Sequence, residues 1–201
     1  RWWLYGSLSR HPNQSKIFMK PLVAILHSAA FAIFIPWFGS LQAAELWIGA
    51  ATADITPEGP VALTGNTSVR IAREIKSRLT ANVLAMESRV GGRSLDHAIL
   101  VSCDLCVIRP GIQEGFRNYI AERLPGCNVK KLFLAATHTH AAPVLLQNRY
   151  AEKDYQDAVQ PDEYVPWLYE TMGRAVEKAW KERAAGGVAW GLGHAVAGHN
   201  R

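Results

Sequence analysis

Residues 137–140 read Thr-His-Thr-His. They close the apolar run Leu132-Phe-Leu-Ala-Ala136 and open a loop of small residues, Ala141-Ala142-Pro143. Imidazoles at i and i+2 leave the end of a strand on the same face. Neutral imidazole is the commonest metal ligand, and it is also the side chain that carries protons near pH 7. His138 and His140 are therefore candidates for a metal site, for proton transfer, or for both. The plainer alternative is a pair of polar residues satisfied at a strand end.

A second chemical signal is weaker. Cys103-Asp-Leu-Cys106 has the C-x-x-C spelling but lies inside an apolar stretch, residues 98–108, that reads as a buried strand. Without a second such pair to complete a zinc site, these thiols read as core packing. Cys127 is the third cysteine, and the sequence leaves any disulfide pairing open. Asp104 stands where it can orient a histidine or bond backbone at the strand end. Lys76 reads as a solvated loop charge, His199 receives no role, and Asn66-Thr-Ser68 spells an incidental glycosylation sequon.

These side chains must be positioned by regular elements. Residues 46–55 have strand character and end at Thr56-Pro57 and a Gly59-Pro60 turn. Residues 61–73 read as a loop with a turn at Gly65-Asn66. Residues 79–87 form a strand, Gly91-Gly92 a turn, and residues 97–108 the next strand. A helix starts at Pro110, with Ile112, Phe116, Ile120 and Leu124 recurring every four residues on its inner face. Residues 129–136 return as a strand. A longer helix over 162–183 takes Asp162 as its N-cap, with Trp167, Met172, Ala175 and Trp180 facing inward as core rather than as a lipid-binding stripe. Gly186-Gly187 ends it, and residues 188–197 form the last strand. The order β-β-β-α-β-α-β implies an α/β fold, with mixed β-sheet layers and packed helices.

The first 44 residues differ from the rest. They hold no Asp or Glu but include Arg1, Arg10, Lys16 and Lys20. Met19-Lys20 precedes a nearly uninterrupted apolar run over 22–38, then Gly39-Ser-Leu-Gln-Ala-Ala44. A basic start, an apolar stretch and an Ala-rich end make a secretory signal peptide over 19–44, cleaved near Ala44; residues 1–18 read as an upstream extension. A membrane anchor is the alternative, although the run is short for a span and carries Pro36. Export implies a secreted or periplasmic protein. It also changes the charge argument. Of 22 Lys and Arg, four lie in the leader, leaving 18 against all 17 acids, so the mature part is near +1 rather than +5. Nothing there points to a nucleic-acid partner.

Four landmarks in order carry a family resemblance. Trp47-Ile-Gly-Ala-Ala-Thr-Ala-Asp-Ile-Thr-Pro57 resembles the opening strand of the neutral/alkaline (non-lysosomal) ceramidase family. Val101-Ser-Cys-Asp104 is similar to its second landmark. Ala135-Ala-Thr-His-Thr-His-Ala-Ala-Pro143 is close to its Thr-His-Thr-His-Ser-Gly-Pro motif, and Asn200-Arg201 matches the Asn-Arg pair that follows. The resemblance implies that residues 45–201 are the N-terminal part of a ceramidase-like catalytic domain, incomplete here because the chain stops just after a strand. It implies a zinc (Zn2+) amidase cleaving the N-acyl bond of ceramide. His138 would ligate the metal, His140 would move protons or orient the nucleophile, and Arg201 would steady the oxyanion or nucleophile. The residue types suit amide hydrolysis, which needs a polarised carbonyl, an activated nucleophile and a proton for the leaving amine. A permanent guanidinium charge suits developing negative charge.

Two departures bear on substrate. Lys76, in Glu74-Ile-Lys76-Ser-Arg-Leu79, stands where the family commonly has His, and Ala141-Ala142 replaces Ser-Gly. The family's second zinc His, its Glu and Tyr ligands and its nucleophilic Ser all lie further along than residue 201. The piece alone is therefore expected to be inactive and to bind zinc weakly, since a catalytic zinc needs about three protein ligands. The partner expected is a lipid or amide small molecule, with membrane-surface contact open and no oligomeric state implied. The rivals are an exported metallohydrolase of the same scaffold with a non-sphingolipid substrate, which the two departures favour, and a secreted binding domain that has lost the site. Retention of both His138 and His140 argues against the second.

Overall fold

The computed structural model describes residues 43–194, except the side chain of Glu152. The upstream extension, the leader up to residue 42, Asn200 and Arg201 lie outside the described residues.

Strand β1 (Glu45–Asp54) pairs antiparallel along its whole length with β4 (Thr80–Val90), and β4 pairs antiparallel with β5 (Arg93–Cys103). The β4–β5 hairpin turns at Gly91 and Gly92, both at positive φ, as the Gly-Gly pair predicts. Helix α1 (Pro110–Ala121) then crosses over so that β6 (Leu132–Ala136) lies parallel to β5. After helix α2 (Pro161–Lys181), a two-residue strand β7 (Ala184–Ala185) joins the far edge of β1. Among the described residues the sheet thus runs β6-β5-β4-β1-β7, mixed in direction, and the fold is α/β.

Alternation along the strands sets the core. Ala81, Val83 and Ala85 of β4, Ile99, Val101 and Cys103 of β5 and Leu132 of β6 face both helices. They meet Ile112, Phe116 and Ile120 of α1, at the spacing expected, and Leu168, Met172, Val176 and Ala179 of α2. Gly49 of β1 lets α2 come close, because a Cβ there would lie 1.9 Å from the Ala179 carbonyl oxygen. The opposite face of the sheet bears Leu100 and Phe133, each more than two-fifths exposed.

Several sequence expectations are corrected. The N-cap of α2 is Gln160, not Asp162, because Pro161 is suited to the first helical turn; Asp162 and Glu163 instead sit where the helix dipole favours carboxylates. Trp167 faces outward at 37% exposure, its ring tilted against Tyr164 at 5.6 Å, since the buried stripe runs through Leu168, Met172, Ala175, Val176 and Ala179. Trp180 is partly buried against the core. Residues 97–108 are not one strand: β5 begins at Arg93 and stops at Cys103. Residues 129–131 form a 3-10 turn before β6. The loop over 61–73 contains a short antiparallel pair, β2 (Val61–Ala62) and β3 (Ile71–Ala72). Residues 188–194 are exposed and form no strand, and residues 195–197 of the expected strand lie outside the described residues; among the described residues the edge of β1 away from β4 pairs with β7 alone. Among the described residues no helix is long and apolar enough to cross a membrane.

Candidate metal centre

The parallel pairing of β5 and β6 continues past both strands and builds the site. Thr137 donates its backbone N–H to the Cys103 carbonyl at 2.9 Å, and His138 donates its N–H to the Leu105 carbonyl at 3.0 Å. The side chain of Asp104 clamps the same corner. One carboxylate oxygen accepts from the Thr80 backbone N–H and Oγ1, both at 2.9 Å, and the other accepts from Thr137 Oγ1 at 3.2 Å. These bonds, the Thr80 backbone donor foremost, hold the Asp104 carboxyl below the usual carboxylate range. Of its two expected roles, Asp104 takes the backbone one: it fixes the segment that carries the histidines.

His138 is not part of a strand. Its φ is +65°, in the left-handed region that non-glycine residues seldom occupy. The expectation that two imidazoles leave a strand end on one face is therefore corrected: β6 stops at Ala136, and a turn brings the rings together. Their centroids lie 5.0 Å apart, edge to face. The loop beyond is anchored. Ala142 is fully buried, its carbonyl accepts from Thr64 N–H at 3.0 Å, and Val144 N–H bonds the Ala62 carbonyl at 2.9 Å. Gly65, at φ +92°, lies directly beneath His140.

The strand-end geometry also separates Cys103 from Cys106. Cys103 points into the helix-facing core, beside Met172, and burial pushes its thiol up to about 12. Cys106 comes after the chain has turned at Asp104 and Leu105. Its Sγ is 3.9 Å from His138 Nδ1, and its backbone carbonyl lies 2.7 Å from the same nitrogen. That carbonyl has no hydrogen to give, so Nδ1 carries the proton and Nε2 keeps its lone pair. A backbone acceptor on one ring nitrogen is the arrangement that aims the other at a metal. Donor atoms of Cys106, His138 and His140 all lie within 4.8 Å of one another. This sulfur-and-nitrogen set suits zinc, which takes thiolate and imidazole in tetrahedral sites.

A groove of about 670 Å³ opens beside the pair. Thr139 and Ala141, which flank His140, form one wall, and Pro57, Leu63, Ile71 and Ile75 add apolar surface. Lys76 is exposed and also lines it.

Sequence reasoning placed His138, His140 and Asp104 at this corner and missed two residues. Gly65 was legible only as a turn glycine, and nothing local says which ring would rest on it. Cys106 was read as packing with Cys103, although a three-residue offset already puts the two on opposite sides of an extended chain. Arg201 cannot be related to the site, because it lies outside the described residues.

No protein-family model matches the chain, and no curated protein does. Solved structures do. Neutral ceramidase from Pseudomonas aeruginosa is similar over 72% of this chain at 23% identity, with a TM-score of 0.59, and the match takes in 23% of that chain. A ceramidase complexed with C2 is similar over 71% of this chain at 22% identity, with a TM-score of 0.53, and the match takes in 22% of that chain. The chain has a ceramidase-like fold, and it spans less than a quarter of the length of the solved structures it matches.

Proposed function

We propose that the chain is part of an exported, zinc-dependent amidohydrolase that cleaves the N-acyl bond of a ceramide or related lipid. The observation that carries this reading is the 2.7 Å bond from His138 Nδ1 to the Cys106 carbonyl, with the His140 ring edge to face with the same ring at 5.0 Å. The bond leaves Nε2 of His138 as the metal-facing donor. When bound, the metal polarises the scissile carbonyl and lowers the pKa of a bound water or hydroxyl.

The remaining work falls to the chain. His138 holds the metal. His140, not constrained by a carbonyl bond of its own, accepts a proton from the nucleophile and returns one to the departing amine. Asp104 and Thr137 keep the loop in register. The groove along Thr139 and Ala141 receives the acyl chain on its apolar wall. Arg201 is assigned to the oxyanion or the nucleophile on the strength of the resemblance alone. By the same resemblance, the other ligands and the nucleophile belong to chain beyond residue 201, and the activity is that of the whole protein. The likeness to ceramidase structures supports the scaffold.

A second reading keeps the chemistry and changes the substrate. Lys76 on the groove and Ala141-Ala142 beside His140 suit an acyl amide or ester other than ceramide, including one with an anionic group for the ammonium to meet.

The test is the complete protein expressed with its leader. Its zinc content is measured by elemental analysis, and fatty-acid release from ceramide and from a panel of simpler N-acyl amides and esters is resolved by lipid chromatography. One zinc per chain, lost together with hydrolysis in His138→Ala, is the expected result. Hydrolysis indifferent to chelation, or zinc retained in full by His138→Ala, overturns the proposal. A panel member preferred over ceramide selects the second reading. Sequencing the mature N-terminus tests export: a start near Glu45 supports it, and a protein retained in the cell with its leader intact overturns it.

A further inference from the structure

We propose that Cys106 is itself a metal ligand, its thiolate joining His138 on the ion beside which His140 stands. The proposal rests on the metal reading above and adds a donor that the ceramidase resemblance does not supply.

Burial without core membership is the first observation. Cys106 is only 5% exposed, yet it does not belong to the apolar cluster that contains Cys103. A cysteine serving as a small hydrophobe would pack into that cluster, as Cys103 does. The chain bends at Asp104, which bonds the Thr80 carbonyl through its N–H, and at Leu105, whose N–H bonds back to the Cys103 carbonyl at 2.8 Å. This bend delivers the Cys106 side chain to the histidine side of the strand end.

Partnership is the second. The only hydrogen-bonding neighbour of the Cys106 sulfur among the described residues is His138 Nδ1, 3.9 Å away on the ring whose Nε2 is left for the metal. One ring nitrogen from each histidine and the Cys106 sulfur lie within 4.8 Å of one another, so a rotation of the Cys106 side chain would carry its sulfur toward an ion held at His138. His138 is already in an uncommon backbone conformation, and His140 is backed by Gly65. Both features restrict where the two rings can lie.

Donor chemistry is the third. A thiolate beside an imidazole favours Zn2+, Co2+ or copper over Mg2+ or Ca2+, which prefer oxygen. Binding converts the Cys106 S–H to thiolate and releases one proton to solvent while the metal–sulfur bond forms. The carbonyl of the same residue holds His138 Nδ1, so Cys106 would both orient one ligand and be another.

The test is Co2+ titration of the chelator-stripped full chain, followed by absorption spectroscopy. Wild type should show visible d–d bands together with a near-ultraviolet thiolate-to-cobalt charge-transfer band. Cys106→Ser should lose the charge-transfer band and bind Co2+ on the order of 10–100-fold more weakly. Cys127→Ser should keep both. A d–d spectrum with no charge-transfer band in wild type, unchanged in Cys106→Ser, overturns the role of Cys106 and leaves the histidine reading standing. No Co2+ uptake at all overturns both. Should Cys106→Ser fail to fold, wild type still decides. Alkylation of Cys106, followed by peptide mass spectrometry, should be suppressed by one equivalent of zinc, and equal labelling with and without zinc overturns the proposal.

Discussion

His140 sits over Gly65 with no room between them: a Cβ at Gly65 would come 2.6 Å from His140 Cγ and 2.8 Å from its Nδ1. Gly65 also needs its positive φ of +92°. Gly65→Ala should therefore both strain the turn and push the imidazole aside. The backbone part is expected to cost about 1–2 kcal/mol. The displacement should weaken zinc or cobalt binding by roughly tenfold or more, as loss of ligand positioning does elsewhere. Isothermal titration with the metal, beside a urea melt, separates the two effects. Wild-type affinity in Gly65→Ala would show that His140 is not held by this contact.

Asp104 is expected to matter through the loop it fixes. Asp104→Ala strips the Thr80 backbone N–H of its partner and releases Thr137. Stability should fall by about 2 kcal/mol, and metal affinity should fall with it, because the segment carrying His138 loosens. Asp104→Asn, which keeps an acceptor oxygen, should recover part of both. Equal losses in Ala and Asn variants would place its role in its charge rather than its bonds.

Glu87 carries the clearest pH signature. It is 4% exposed and is held by Arg89 at 2.8 Å and Arg183 at 3.0 Å. Burial alone would raise its carboxyl, but the bonds from Arg89, Ser94 and Arg183 prevail and hold it at about 2, against an ordinary 4.5. A folded value below the unfolded one means stability present above the unfolded value and lost as pH falls toward the folded one. The term is worth about 3 kcal/mol at pH 7 and should disappear between about pH 5 and 2. Chemical denaturation across that range should show the decline, and Glu87→Gln should flatten it. An unchanged slope in Glu87→Gln would assign the acid sensitivity elsewhere.

Gly49 sets the distance between β1 and α2. Its missing Cβ would overlap the Ala179 carbonyl oxygen at 1.9 Å and the carbonyl carbon at 2.9 Å, both backbone atoms that cannot rotate away. Gly49→Ala should lift the helix and cost about 3 kcal/mol or more, as overpacking at a rigid contact does. The urea midpoint measures it. A change under about 1 kcal/mol would mean that the helix shifts freely on the sheet.

Legibility in the sequence followed the range of the forces involved. Alternation in β4 and β5, the four-residue spacing of Ile112, Phe116 and Ile120, and Gly91-Gly92 between two strands are local signals, and the elements they imply are present. Element ends were less legible. Pro161 rather than Asp162 opens α2, and the pairing on the edge of β1 comes from Ala184–Ala185 rather than from residues 188–194, because edge pairing depends on where the helix delivers the chain.

The sequence by itself determined that two imidazoles follow an apolar strand and that an acid stands at the end of its neighbour. Residue type and period alone carry that much. Only the tertiary structure decided what surrounds them. Parallel pairing of β5 with β6 sets Cys106 next to His138 across a separation of 32 residues, and packing of the 142–144 loop on residues 61–64 slides Gly65 under His140. These neighbours are chosen by hydrogen-bond register and by burial of Ala142 and Val144. No window of sequence contains both sides of such a contact.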